Sequence, residues 1–179
     1  MSSEKIHSLV NKAKKGDKEA FGDLYEIHSR EMFTFARWYL GDVFLAEDAV
    51  SDAALNAYVS IKNVREPEKF KSWLFTILLR CCRKNLKNII NLRQSVDITD
   101  IQKESAEASP EEKAEIKAAL EKISEEDREI LLLSSLGNLT SVEIGEMLSM
   151  APGTVRSKLS RSTDKLCDLL SERSFVNGK

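Results

Sequence analysis

The sequence predicts an all-α protein of two small helical domains joined by a flexible linker. Three observations carry this prediction. Only seven Gly and three Pro occur in 179 residues, so long runs of helix formers stand uninterrupted. Apolar residues recur at three- and four-residue steps through most of the chain. One stretch, from Gln94 to Pro110, loses that period and is acidic, polar and Ser-containing. That is the composition of a flexible connection, although a short surface loop with partial helix fits the same residues. The expected division is residues 1–92, a linker at 93–110, a second domain at 111–172 and a frayed tail at 173–179.

Composition excludes several classes. The chain is 42% hydrophobic and 31% charged, but no apolar run approaches the roughly 20 residues a membrane span requires. The first ten residues, MSSEKIHSLV, contain no apolar signal core. Cys81 and Cys82 are adjacent and Cys167 is distant, which gives neither a disulfide framework nor a zinc spacing. All three are expected as reduced thiols in a cytoplasmic protein. His7 and His28 lack ligand spacing and read as ordinary surface or half-buried residues. No paired His, Ser-His-Asp set, phosphate-cradling Gly loop or metal cluster can be assembled, so no metal, cofactor or enzymatic activity is expected.

Net charge is −2, but its distribution is uneven. Residues 61–93 hold nine Lys or Arg and two acids, whereas 94–129 hold five and twelve. Positive charge is thus gathered on a mid-chain helix and on a second helix near the C-terminus.

The elements follow in order. Ile6, Leu9, Val10 and Ala13 form the stripe of a first helix capped by Gly16. Asp17 starts a second, whose stripe runs from Ala20, Phe21, Leu24, Tyr25 and Ile27 through Phe35 and Trp38 to Leu40. A bend near His28–Arg30 is compatible with the pattern, and Gly41 stops it. Its aromatics, at helical spacing, read as core. Asp42 opens a third helix reaching about Ile61. Ala46, Ala49, Val50, Ala53, Leu55, Ala57 and Tyr58 are expected inside, with Glu47, Asp48, Ser51, Asp52 and Asn56 outside. By periodicity alone that outer side is a solvated acidic face.

Residues Lys62–Lys71 read as a loop, because Pro67 pushes Glu66 out of helical geometry. Phe70 and Trp73 begin a fourth helix, with Trp73, Leu74, Ile77, Leu78, Cys81 and Leu86 inward. Arg80, Arg83, Lys84 and Lys87 line up opposite at three- and four-residue steps. A basic stripe beside an aromatic-bearing loop suits single-stranded or melted DNA: cations hold phosphates while a pocket takes an unstacked base. A soluble basic helix with no partner is the plainer alternative. Beyond Pro110, Glu111–Lys122 forms a helix, Ser124 caps the next over Glu125–Leu136, and Gly137-Asn138 ends it.

Thr140–Leu170 reads as two helices around a tight turn. The first spans Ser141–Leu148, capped by Thr140 or Ser141, with Glu143 near the capping-box position. Pro152 suits a helix start, and the second helix is expected from Gly153 or Thr154. Val155, Leu159, Leu166 and Leu170 form its packing stripe. Arg156, Lys158, Arg161 and Lys165 fall off it, among Thr154, Ser157, Ser160 and Ser162. Gly145 permits close approach of the two helices. This is the layout of a DNA-reading helix-turn-helix; a plain helical hairpin shares the pattern.

The segment Glu143-Ile144-Gly145-Glu146-Met147-Leu148, continued by Gly153-Thr154-Val155-Arg156-Ser157-Lys158-Leu159-Ser160-Arg161, resembles the DNA-binding end of bacterial sigma factors of the extracytoplasmic-function group. Ile123–Leu133, ISEEDREILLL, resembles the stretch that precedes it there. Ala46-Glu47-Asp48, Val50, Leu55 and Ala57-Tyr58 match another phrase of that family, and Phe70, Trp73-Leu74-Phe75 and Ile77 a third. The resemblance covers nearly the whole chain.

It implies an alternative sigma factor that binds core RNA polymerase and promoter DNA. Asp48, Asp52 and Asn56 would dock on the clamp helices of the largest subunit, with the flap region as a further polymerase contact. Asn63, Arg65, Lys69, Lys71, Trp73, Arg80, Arg83, Lys84 and Lys87 would recognise the melted minus-ten element. Thr154, Arg156, Ser157, Lys158, Ser160, Arg161 and Lys165 would enter the major groove of the minus-thirty-five element. Which of the cations touch bases and which touch phosphates stays open. The linker would thread toward the polymerase active-site cleft and RNA exit path, and an anti-sigma protein is a partner the family commonly uses. Ser51 replaces the usual Gln, Ala53-Ala54 replaces a Thr-Phe pair, and Arg80 stands where many relatives carry Asn, which implies a different minus-ten preference. The rival reading is a stand-alone helix-turn-helix regulator. It would need a dimer interface, and no coiled-coil seam is visible.

Overall fold

The computed structural model describes residues 3–93 and 110–176, with side chains described over 4–88 and 114–171. The expected linker falls almost entirely outside them. Among the described residues every regular element is helical. The α-helices are α1 (Ser3–Lys14), α2 (Lys18–Leu40), α3 (Val43–Ser60), α4 (Phe70–Arg93), α5 (Pro110–Leu120), α6 (Glu125–Ser135), α7 (Ser141–Leu148) and α8 (Pro152–Val176). Two 3₁₀ turns, Ile61–Asn63 and Pro67–Lys69, structure what reads from sequence as a loop. The chain divides into two compact units, Met1–Ile101 and Gln102–Lys179.

Local chemistry sets the helix ends. The Asp17 carboxylate accepts from the Ala20 N–H at 3.1 Å, and that of Asp42 from the Leu45 N–H at 2.9 Å. Each satisfies an orphan donor in a first turn. Gly41, with φ 70°, closes α2 by donating to the Arg37 carbonyl. Between its caps α2 is continuous through His28–Arg30, so the bend that the sequence permits does not interrupt it.

In the first unit α2, α3 and α4 pack on one another, and α1 lies on α2 and on both 3₁₀ turns. α3 meets its neighbours through Ala46, Ala49, Val50, Ala53 and Ala57, all buried. Four alanines on one stripe let that helix sit close. The larger side chains come from α2 (Leu24, Met32, Phe35) and α4 (Leu74, Phe75, Leu78), with Phe35 and Phe75 edge to face at 5.7 Å. Because the alanines set the inner face, Leu55 lies on the opposite side at 100° per residue. It is 66% exposed and Tyr58 is 40% exposed, which corrects the expectation that both are buried.

In the second unit Ile130, Leu133, Ile144 and Val155 are fully enclosed. α6 contacts both α7 and α8, and α5 contacts α8. The Thr140 hydroxyl accepts from the Glu143 N–H at 3.3 Å, and the Glu143 carboxylate accepts from the Thr140 N–H at 2.8 Å. This is a closed capping box. Ser149 takes the left-handed conformation, φ 57°, and ends α7. α8 then begins at Pro152, slightly earlier than the sequence predicts. A Cβ on Gly145 would stand 2.6 Å from the Met150 carbonyl oxygen. Gly145 therefore admits the turn backbone, which folds back against α7. Gly145→Ala is expected to destabilise the second unit by about 1–3 kcal/mol, the range for forced overpacking. Urea denaturation followed by circular dichroism measures it.

Candidate nucleic-acid interface

α8 is locked by Val155, which is buried, and by the half-buried Leu159 and Leu166. With that side fixed, Thr154, Arg156, Ser157, Ser160 and Arg161 are exposed. The Ser157 hydroxyl donates to the Thr154 carbonyl and Arg161 Nε to the Ser157 carbonyl, both within α8. The two lysines of the predicted set behave differently. Lys158 Nζ lies 3.0 Å from a carboxylate oxygen of Glu126 and 3.0 Å from one of Asp127. Lys165 Nζ donates to the Lys122 carbonyl at 2.8 Å. So the structure gathers all seven predicted residues on one helix but ties both lysines to groups outside α8, while Arg161 bonds only within α8.

In the first unit Arg80, Arg83, Lys84 and Lys87 are all exposed on one side of α4. Asn63 and Arg65 are exposed in the segment before it, while Lys69, Lys71 and Trp73 are half-buried. Lys69 pairs with Glu66 at 3.4 Å and Lys71 with Glu31 at 2.8 Å. The Trp73 ring lies 5.7 Å from that of Phe70 and is tilted by 38° to it. α1 braces this segment from the other side: Lys14 Nζ donates to the Val64 carbonyl, and His7 Nε2 lies 2.9 Å from Glu68. These partners are 50 and 61 residues apart in sequence, so no local pattern announces them.

The outer face of α3 is a second surface. Asp48 is exposed and Asp52 half-exposed. Asn56 stands to one side and donates to the Cys81 sulfur at 3.6 Å. Burial pushes the Cys81 thiol up, and the Asn56 bond opposes this. Around Asp48 stand the exposed Leu55 and Tyr58 together with two residues that periodicity did not single out, Phe44 and Val59, the last 80% exposed. Plotting α3 at 100° per residue from its alanines would have placed them outside. Together these make an exposed apolar stripe with acids in it.

His28 sits beneath the loop. It is 4% exposed, with its ring 5.8 Å from that of Phe70 and its nitrogens without a hydrogen-bond partner. Sequence reads it as a surface or half-buried residue; its spacing on the α2 stripe buries it. Burial lowers its pKa below 6.5, Lys71 lowers it further, and Glu31, 3.9 Å away, opposes them. Between the lowered value and 6.5 the unfolded chain binds a proton that the folded chain refuses. Stability from neutral His28 is therefore complete above pH 6.5 and lost as pH falls below it. Thermal melts of the first unit across pH 5–8 are expected to show this decline, and His28→Leu to flatten it.

Profiles of known families match both units: Sigma-70 region 2 over residues 24–88 and Sigma-70, region 4, over residues 113–166. The ECF RNA polymerase sigma factor SigW of Bacillus subtilis is 25% identical over 176 residues, covering 90% of this chain and 94% of that one. The ECF RNA polymerase sigma factor SigM of Mycobacterium tuberculosis is 26% identical, covering 87% and 79%. Among solved structures, CnrH in complex with the cytosolic domain of CnrY aligns with a TM-score of 0.75 at 22% identity over 94% of this chain and 98% of that one. The sigma factor RpoE in complex with the anti-sigma factor NepR from Bartonella quintana gives 0.72 at 23%, over 84% and 96%. These two show the shared fold.

Two helical units, one ending in a helix-turn-helix and the other bearing a cationic helix, make a DNA-binding transcription protein. The chain belongs to the extracytoplasmic-function group of the sigma-70 family, and is an alternative sigma factor that directs transcription initiation. No helix among the described residues is long and apolar enough to cross a membrane.

Proposed function

We propose that the two units divide promoter recognition, and that the exposed arc of α8 carries the choice of promoter. Arg156, Ser157, Ser160 and Arg161, with Thr154, read the minus-thirty-five element in the major groove. The supporting observation is that Val155 is buried while these five side chains are exposed on a helix stepping off a tight turn. In the first unit, Arg80, Arg83, Lys84 and Lys87 hold the backbone of the melted minus-ten element. Asn63, Arg65 and Trp73 border the place for an unstacked base. Lys69 and Lys71, already paired with acids, shape that segment.

The outer face of α3 docks on the clamp helices of the largest polymerase subunit. Asp48 and Asp52 supply charge, and Phe44, Leu55 and Val59 supply apolar area, as in the hydrophobic core of other interfaces. Asn56 flanks them. The flap region takes the second unit. The protein works in the cytoplasm by binding alone, and an anti-sigma protein, of the kind seen with RpoE, would hold it inactive. Overall acidity, −2, keeps attraction to DNA weak until polymerase supplies the remainder. In vitro transcription of a genomic library with purified core enzyme tests the whole reading: enriched promoters should share two spaced elements, and their absence would overturn it.

Two substitutions test the parts. Asp48→Arg should abolish capture of core polymerase while circular dichroism stays unchanged; retained capture would move the docking face elsewhere. Arg156→Ala should weaken transcription from the cognate promoter by about 1–3 kcal/mol, the worth of a bidentate base contact. Unaltered transcription would remove it from the reading set.

A further inference from the structure

We infer that Lys158 is a positioning residue of the recognition helix and not one of its DNA contacts. This rests on the proposal that α8 enters the major groove, and it names how that helix is held there. Turned by 100° per residue, Arg156, Ser157, Ser160 and Arg161 spread over the side opposite Val155 and Ser162. Lys158 and Lys165, seven residues apart, fall together at the edge of the packed side. Both are used there. Lys158 spans two carboxylates at 3.0 Å each and is 24% exposed, and Lys165 caps a carbonyl just past the end of α5.

The carboxylates are themselves fixed. Glu126 and Asp127 occupy the first turn of α6, where the helix dipole favours anions. Asp127 also accepts from the Ser124 hydroxyl at 2.7 Å. Beneath Lys158, the buried Ser162 hydroxyl donates to the Lys158 carbonyl at 2.7 Å. The ammonium is thus held by α6, while the Ser162 bond closes within α8 itself. Its charge is also spent. It is shared between two carboxylates, and Asp127 feels the Arg161 guanidinium as well. Drawing Lys158 onto a phosphate would break two ion pairs and leave both carboxylates facing that phosphate.

The consequence is that Glu126 and Asp127, which touch no DNA, set the pitch at which Arg156 and Arg161 meet the bases. Loss of Lys158 then harms discrimination between sequences more than it harms general attraction to DNA.

Salt titration of promoter binding by the full-length protein assembled with core polymerase separates the two roles. Each phosphate contact contributes about −0.9 to the slope of log K against log salt. Lys158→Met is expected to leave the slope as in the unaltered protein. It should cut discrimination between the preferred minus-thirty-five sequence and single-base variants about fivefold or more, the scale of one mismatch. Lys158→Arg, which can keep both carboxylates, should restore discrimination. Glu126→Gln with Asp127→Asn should reproduce the loss and steepen the slope by about one, as the freed ammonium finds a phosphate. This pair decides the matter even where Lys158→Met does not fold. A slope made shallower by about one in Lys158→Met, or discrimination unaltered in Lys158→Met or in the carboxylate pair, would overturn the inference. Arg156→Ala and Arg161→Ala serve as controls. If neither alters binding, it is the reading of α8 itself that fails.

Discussion

A helix that works on a partner must bury one narrow stripe and keep the rest bare. α3 does this with four alanines, which give close approach for little width. α8 does it with Val155 and the half-buried Leu159, Leu166 and Leu170. Everything proposed for this protein depends on those stripes being narrow. A second row of large apolar residues on α3 would pull Leu55 and Val59 inward and erase the docking face. Depth is supplied instead by the neighbours, chiefly Phe35, Phe75, Leu74 and Leu78. The burden of the core thus falls on α2 and on the early turns of α4, and the faces of α3 and α8 are left for other molecules.

Local signals in this sequence were readable where cause and effect lie within one turn. Thr140 with Glu143, Asp17, Asp42, Gly41 and Ser124 each mark a helix end that the structure places at or within a residue or two of the expected position. The helix-turn-helix was legible for the same reason, since Gly145, Ser149 and Pro152 act on their immediate neighbours. Leu55 and Tyr58 read as inward from their apolar type, whereas the structure exposes both. Their angle from Ala46, Ala49 and Ala53, which form the buried face of α3, turns them outward. His28 is the converse case: its polar type reads as surface, while its position four residues after Leu24 on the α2 stripe buries it.

The candidate site was legible in its cations and illegible in their pairing. Lys14, Lys71, Lys158 and Lys165 each spend their charge or their donors on a group at least thirty residues away. No window of periodicity reports such a partner. Counting basic residues therefore overstates what DNA can meet. The useful quantity is the number of cations left after the acids within reach are subtracted, and only the fold decides which acids those are. Acidic overall composition and cationic working surfaces coexist on this account, because part of the acid content is consumed in holding lysines.

The division between the two cation types on α8 has a chemical reason. An ammonium is a compact charge with three rotatable donors, suited to the gap between two carboxylates or to a helix-terminal carbonyl. A guanidinium carries five donors in a rigid planar fork that matches the O6/N7 edge of guanine. Placing lysines at the edge of the packed side and arginines on the open arc matches each group to the geometry it satisfies best. The arrangement also limits non-specific attraction, since both lysines on that stretch are held by groups outside α8 before DNA arrives. Promoter choice by α8 would then depend less on how much positive charge the helix carries than on the angle at which two arginines are offered, and that angle is set from behind by Glu126 and Asp127.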